Sequence, residues 1–428
     1  INTYRYTATY AEDLTALRDA IDTKKQQAIE TLDDILLDEF KHLGIKFEQA
    51  TWDDKKNDFG KANKRPLKPE DIERLHPFHW GFEFDEILNK RGGFDAIITN
   101  PPWEILKPNG KEFFECYSDL VSKKKMTIHD FEKQRTKLLN DSETRTAWLD
   151  YLSQYPHQSA YFRSAPQYRH QVSIINGRKA ASDINLYKLF VEQCYNLLRP
   201  GGRCGIITSS GIYTDLGTKQ LREMLFTKAE VTNLYGLSNE KYIFEGVHHA
   251  QKFCILVFRK DSHTQAFEAA FRVNPREAVT PDQLEQFLHE GDEHLQIKTE
   301  LVRRLSPDSL SVMEFKSDFD VQIAEKMLRF PLLGEEIEGT WNVKFAAEFH
   351  MTNDSRLFKT DPGPGRLPLY EGKMIWQFDH RFGAPRYWVD EREGRKSLVG
   401  RSETLTRQLD YQCYRCGIRA VSANTNER

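Results

Sequence analysis

The chain has 428 residues, 39% hydrophobic and 29% charged, with 61 Lys and Arg against 64 Asp and Glu. That is an ordinary soluble composition with room for two or three domains, and it excludes a collagen-like or wholly disordered chain. The net charge of −3 neither demands nor excludes nucleic acid, and no apolar run is long enough to span a bilayer, so the expectation is a cytoplasmic protein with no membrane partner.

From about Tyr10 to Leu43, apolar residues fall at helical spacing (Leu14, Leu17, Ile21, Ile29, Leu32, Ile35, Leu36, Phe40), and Gly44 is the expected stop. The Lys- and Asp-rich stretch from Asp53 to Asp71 reads as a linker or exposed loop, and residues 1–75 are expected to be a helical segment and linker. After His76 the character changes. Phe94-Asp95-Ala96-Ile97-Ile98-Thr99, following Gly92-Gly93, is a short apolar run that predicts a strand buried on both faces, as in a parallel sheet. A polar, mostly helical region follows from Lys107 to about Arg178. Asn185 to Leu198 is an amphipathic helix with Leu186, Leu189, Phe190, Cys194, Leu197 and Leu198 on one side, ended by Pro200-Gly201-Gly202. Arg203 to Thr208 is the next buried strand, Lys219 to Phe226 a short helix, Val231 to Leu237 a strand, and Phe253 to Phe258 another. The order argues for an α/β domain with a mainly parallel sheet, whose last two strands are joined too tightly for a crossover and can pair antiparallel.

Asp261 to about Phe330 is charged and reads as a helical connector over residues 261–331. From Leu332 onward aromatics crowd together (Phe349, Tyr370, Trp376, Phe378, Phe382, Tyr387, Trp388), and residues 332–428 are expected to begin a separate domain. Of six cysteines, Cys194, Cys204 and Cys254 read as core residues. Cys413 and Cys416 form a CxxC without a second ligand pair, so no metal is expected. The opening at Ile1 and the ending at Thr425 to Arg428 suggest an internal fragment.

The sharpest feature is Asn100-Pro101-Pro102-Trp103, directly after the strand that ends at Thr99. Ligands of open α/β sheets bind outside the carboxyl ends of strands. An exocyclic amine on an aromatic base is a poor nucleophile, because its lone pair is delocalised into the ring. Two fixed acceptors draw its hydrogens out of the ring plane and localise that pair. The Asn100 side-chain carbonyl is one, and the Pro101 carbonyl is the other. Consecutive prolines, Pro101 and Pro102, stiffen the loop before substrate arrives. Trp103 offers a face on which a flipped-out base can stack, and Phe244 is the candidate to sandwich it. Read without this chemistry, the tetrapeptide is a plain turn and Phe244 a plain core residue.

Gly93 to Glu104 resembles the catalytic strand and loop of adenine-N6-specific DNA methyltransferases, nearest to the large type IIG-like and phage-defence methylases. His76-Pro77-Phe78-His79-Trp80 and Phe82-Glu83-Phe84 resemble the segment that precedes that strand; Asp183 to Phe190 is similar to the helix flanking their cofactor pocket; Leu197 to Ile207 matches the following helix, turn and strand; Ile243 to Val247 lies where they carry the aromatic that covers the flipped base; and Leu369 to Phe382 resembles the entry to their target-recognition domain. The resemblance implies a Rossmann-like class I methyltransferase core over residues 76–260, followed by the start of a mixed α+β target-recognition domain. It implies S-adenosylmethionine as cofactor, Asp183 and Tyr187 as cofactor contacts, double-stranded DNA as partner, and defence-system proteins as further partners. Trp80 or Glu83 would border the cofactor's adenine.

The family's glycine-rich cofactor loop does not occur before Asn100, so the first strand and that loop are expected upstream of Ile1, and the fragment alone is expected to bind cofactor weakly or not at all. Arg163, Arg169, Arg178 and Lys179, interleaved with Tyr161, Phe162 and Tyr168, are candidate DNA contacts, with an ordinary solvated loop as the alternative. Competing readings are a protein-glutamine or RNA-base methyltransferase, a bifunctional type IIG endonuclease–methylase, and a non-enzymatic DNA-binding module.

Overall fold

The computed structural model describes residues 15–118, 121, 127–175, 177–179, 183–239, 244–273, 285–286, 294–332, 334–340, 343, 346–399 and 408–417. The chain divides into two compact units, Ile1–Phe330 and Pro331–Arg428.

The first unit opens with helix α1 (Thr15–His42), which buries only Leu37 and Phe40 near its end. Gly44, at φ +68°, stops it as expected. The stretch expected to be a linker is instead folded. Strand β1 (Lys46–Gln49) buries Phe47, precedes the short pair β2 (Trp52–Asp53) and β3 (Asp58–Phe59), and pairs antiparallel with β4 (Asn63–Pro66). Beside the apolar cluster of Phe40, Ile45, Phe47, Leu67 and Ile72, one arginine ties this polar segment together. The Arg65 guanidinium lies 4.0 Å from the Phe47 ring centre and donates to both Asp71 oxygens at 2.6 and 2.8 Å. Burial pushes the Asp71 carboxyl up, but the Arg65 hydrogen bond and the Lys68 backbone N–H outweigh it and hold the acid below its usual range. Helix α2 (Pro69–Glu73) starts at that point.

The main sheet begins with β5 (Phe94–Thr99). Helices α3 (Ser142–Ser153) and α4 (Tyr155–Ser164) pack on β1 and α1 through two minor cores around Phe40, Phe47 and Trp148. Residues 15–75 and the polar region after Lys107 therefore share one substructure. A small ladder, β6 (Ile174–Ile175) with β7 (Arg178–Lys179), follows. Then come α5 (Leu186–Leu197), β8 (Leu198–Ser209), α6 (Lys219–Lys228), β9 (Ala229–Ser238) and β10 (Lys252–Lys260). Leu189, Cys194, Leu197 and Leu198 of the expected stripe are buried, joined by Tyr187 and Val191, while Phe190 is 39% exposed.

The supposed connector after Asp261 supplies two more strands, β11 (Ala266–Val273) and β12 (Leu295–Lys298), before α7 (Thr299–Leu305) and α8 (Asp318–Met327). Phe267, Ala269 and Ile297 are almost fully buried, so this segment extends the sheet instead of leaving it.

The six strands run β12-β11-β9-β10-β8-β5. β5 and β8 are parallel, β10 is antiparallel to both β8 and β9, β9 and β11 are parallel, and β12 is antiparallel to β11. The antiparallel pairing of the last two expected strands is thus observed. β5 lies at the sheet edge, and Ile98 is 91% exposed, so the expectation of a strand buried on both faces fails. Its neighbour holds it very closely: a Cβ at Gly93 would sit 2.4 Å from Arg199 N, which is why glycine precedes the strand. The principal core lies between one sheet face and helices α5 and α6, around Cys204, Ile206, Leu256, Phe258 and Val231.

The second unit carries a three-stranded antiparallel sheet, β13 (Phe358–Lys359), β14 (Arg366–Pro368) and β15 (Trp388–Asp390), with β15 in the middle, and helix α9 (Glu391–Val399). Met374, Val389 and Val399 are buried hydrophobic residues of this unit.

Candidate active site

The Asn100 loop leaves β5 at its carboxyl end. Asn100 is exposed, and its side chain makes no hydrogen bond among the described residues. The Pro101 carbonyl likewise accepts none, although the Pro101 ring is buried. Both expected acceptors are therefore unengaged, next to a proline pair that cannot relax. Pro102 is exposed.

Trp103 is anchored. Its indole N–H donates to the Ile207 carbonyl of β8 at 3.4 Å, and its ring lies 5.9 Å from Phe253 at 22° and 5.1 Å from Phe244 at 76°. The two expected stacking residues thus meet, but edge to face. A base between parallel rings needs roughly 7 Å, twice an ordinary contact separation, so this geometry has no slot between them. Phe244 is placed by a residue that sequence reasoning passed over. Asn239, fully buried after β9, accepts from Phe244 N at 3.0 Å and donates to the carbonyls of Phe244 and Val247 at 3.1 and 3.0 Å. Phe253 was missed too. Its place at the head of an apolar run was visible, but its contact with Trp103 depends on strand register. Ile243 lies outside the described residues.

The far end of the loop is latched. Leu186 N donates to Glu104 O at 2.9 Å, Leu106 N donates to Ile184 O at 2.8 Å, and Ile105 bridges Asn185. This brings Asp183 beside the loop, where it is exposed and lies 3.6 Å from Lys107. Tyr187 is different. It is 3% exposed in the principal core, and burial, then the Asp215 charge, pushes its hydroxyl well up. It packs in the core cluster with Val191 and Cys194. Trp80 stacks on Phe84 and meets Phe94 edge-on, while Glu83 pairs with Lys25 at 2.9 Å.

Asp95, on the exposed side of β5, pairs with Arg199 at 2.7 Å and with Arg91. The Arg199 hydrogen bond, followed by the Arg91 charge, outweighs slight desolvation and holds this carboxyl below its usual range.

Arg163, Arg169 and Lys179 are exposed; the Arg178 side chain lies outside the described residues. The aromatics between them are structural. Tyr161 stacks on Phe40 at 4.7 Å, and Phe162 meets Tyr168 edge-on at 4.9 Å. A cavity of about 410 Å³ is lined by Phe47, Arg65, Asp71, Arg74 and Ser153, remote in sequence from Asn100. Cys413 and Cys416 are exposed free thiols, and among the described residues no group of three His, Cys, Asp or Glu can hold a metal. No helix among them is long and apolar enough to cross a membrane.

The site is thus a mixed α/β sheet with an Asn-Pro-Pro-Trp loop at the carboxyl end of one strand, its indole anchored and two carbonyls unengaged. The Eco57I restriction-modification methylase family model matches residues 13–145 and 161–244, half of the chain, and the chain belongs to that family. A protein of Methanocaldococcus jannaschii described as a type II restriction enzyme and methyltransferase is 44% identical over 62 residues, which is 14% of this chain and 5% of that one. Among solved structures, the methyltransferase subunit of a type I restriction-modification system from Streptococcus thermophilus is 12% identical, with a TM-score of 0.31 over 55% of this chain and 41% of the other. The EcoKI type I modification protein is 16% identical, with a TM-score of 0.27 over 34% of this chain and 42% of that one. The chain spans a small part of the curated relative and under half of either structure.

Proposed function

We propose that the chain is the catalytic part of a cytoplasmic DNA methyltransferase that places a methyl group on N6 of a flipped-out adenine in restriction–modification or phage defence. The observation that supports this most is the pair of unengaged acceptors, the Asn100 side chain and the Pro101 carbonyl, in a loop locked at both ends. Each accepts one hydrogen of the adenine amine. The nitrogen lone pair is thereby turned out of the ring plane, and a proton is released from the amine after transfer. Trp103, held by Ile207 O, forms the wall beside the base. Stacking a base against Phe244 requires the 244–247 loop to swing from its edge-on position, with Asn239 as the pivot.

The methyl donor of this reading is S-adenosylmethionine, which when bound supplies an electrophilic methyl carbon. The described residues furnish the base side of the site and not the cofactor side: Asp183 borders the loop, Tyr187 is buried, and no glycine-rich turn follows a strand before Asn100. The decisive experiment is Asn100→Ala in the longest form of the protein that methylates duplex DNA. Loss of N6-methyladenine by mass spectrometry with DNA binding retained supports the reading; retained methylation removes its basis.

A further inference from the structure

In the second unit the chain reverses over four residues. Trp376 N donates to Asp379 O at 2.8 Å and Asp379 N donates back to Trp376 O at 3.2 Å, which leaves Gln377 and Phe378 as the tip. Phe378 has φ +58°. This left-handed position of a tight turn normally takes Gly or Asn, and a bulky ring there is unfavourable. A second apolar residue of the chain is held in the same way: Leu310, at φ +55°, is 2% exposed, so packing offsets its strain. Phe378 has no such offset, because it is fully exposed, at 107%.

The base of the turn is firm. Trp376 stacks on Phe382 at 5.3 Å, Gly383 N donates to the carbonyl of the buried Met374 at 3.2 Å, and the Asp379 carboxylate accepts from Arg381 N at 2.8 Å. Beside the tip, Arg381 Nε donates to His380 Nε2 at 3.1 Å, and neither side chain forms an ion pair among the described residues. A rigid turn thus holds a bare aromatic ring away from the protein, with an unneutralised guanidinium next to it. Strain that nothing in the fold offsets is characteristic of binding elements.

We propose that the Trp376–Asp379 turn is a DNA-contacting wedge: Phe378 stacks on a base or enters a base step, and Arg381 lies against the adjoining phosphate. Duplex DNA offers both chemistries at once, a flat ring face and an anionic backbone one nucleotide away. The inference rests on the DNA methyltransferase reading for the class of partner.

The test uses the 428-residue chain and a fluorescein-labelled duplex read by anisotropy. Phe378→Ala is expected to weaken binding roughly tenfold or more, the worth of one base–aromatic stack, and Phe378→Trp to retain it. Arg381→Ala is expected to lower the slope of log affinity against log salt by about one. Phe378→Gly separates contact from structure: it relieves the backbone, so the thermal midpoint holds or rises while affinity falls. Unchanged affinity in the Ala and Gly variants overturns the wedge and leaves the methyltransferase reading intact. If the unsubstituted chain has no affinity for duplex DNA, the reading beneath fails and the wedge with it.

Discussion

The two edges of the six-stranded sheet are built to opposite plans. At the β11–β12 edge, Phe267, Ala269 and Ile297 are sealed against α7 and α8. At the β5 edge, Asp95, Ala96 and Ile98 face outward, and the loop that follows carries unengaged carbonyls. One end is packed shut, and the other carries the loop to which the proposed function assigns the chemistry. On that proposal the division is physically sensible: acceptors left for a substrate cannot be saturated by the fold, so the energy that keeps them in place has to come from elsewhere in the sheet.

Four substitutions or measurements sharpen or break this division. Asn100→Ala is expected to lower methyl transfer by at least about a hundredfold, in line with removal of one preorganised hydrogen-bonding group, with the urea midpoint unchanged. A shifted midpoint would show that the loop also carries stability. Phe267→Ala, at the sealed edge, is expected to cost about 3–5 kcal/mol in denaturant unfolding; a loss below about 1 kcal/mol would mean that this edge is not the stabilising one. The Asp95 carboxyl, depressed by Arg199 and Arg91, contributes stability above the ordinary carboxylate pKa, and that contribution is lost as pH falls through the lower folded value. Asp95→Asn should remove this acid-side dependence, and NMR titration should show the wild-type carboxyl titrating below its usual range. Ile98→Thr is the smallest effect, within about 0.5 kcal/mol, because the side chain is 91% exposed; a large loss would mean that something covers it in solution.

The same contrast explains what the sequence revealed. β5, β8, β9 and β10 were legible because each is a compact apolar run, and the Asn100 loop because its residues are contiguous. β11 and β12 were not, since Glu268, Gln296 and Lys298 alternate with Phe267, Leu295 and Ile297, and a period of two among many charges reads as a polar connector. The β1–β4 hairpin was hidden likewise, because its fold depends on Arg65 finding both Phe47 and Asp71. Within the site, strand register and the Asn239 clamp decide which aromatics meet Trp103, and neither has a local signature. The burial of Tyr187 was equally hidden, because a motif position carries no signal of the helix face that turns it into the core.

The latch between Glu104–Leu106 and Ile184–Leu186 has one more consequence. Lys107 and Asp183 therefore lie at one junction, so the substructure that α3 and α4 share with β1 and α1 is fastened to the sheet beside the Asn100 loop.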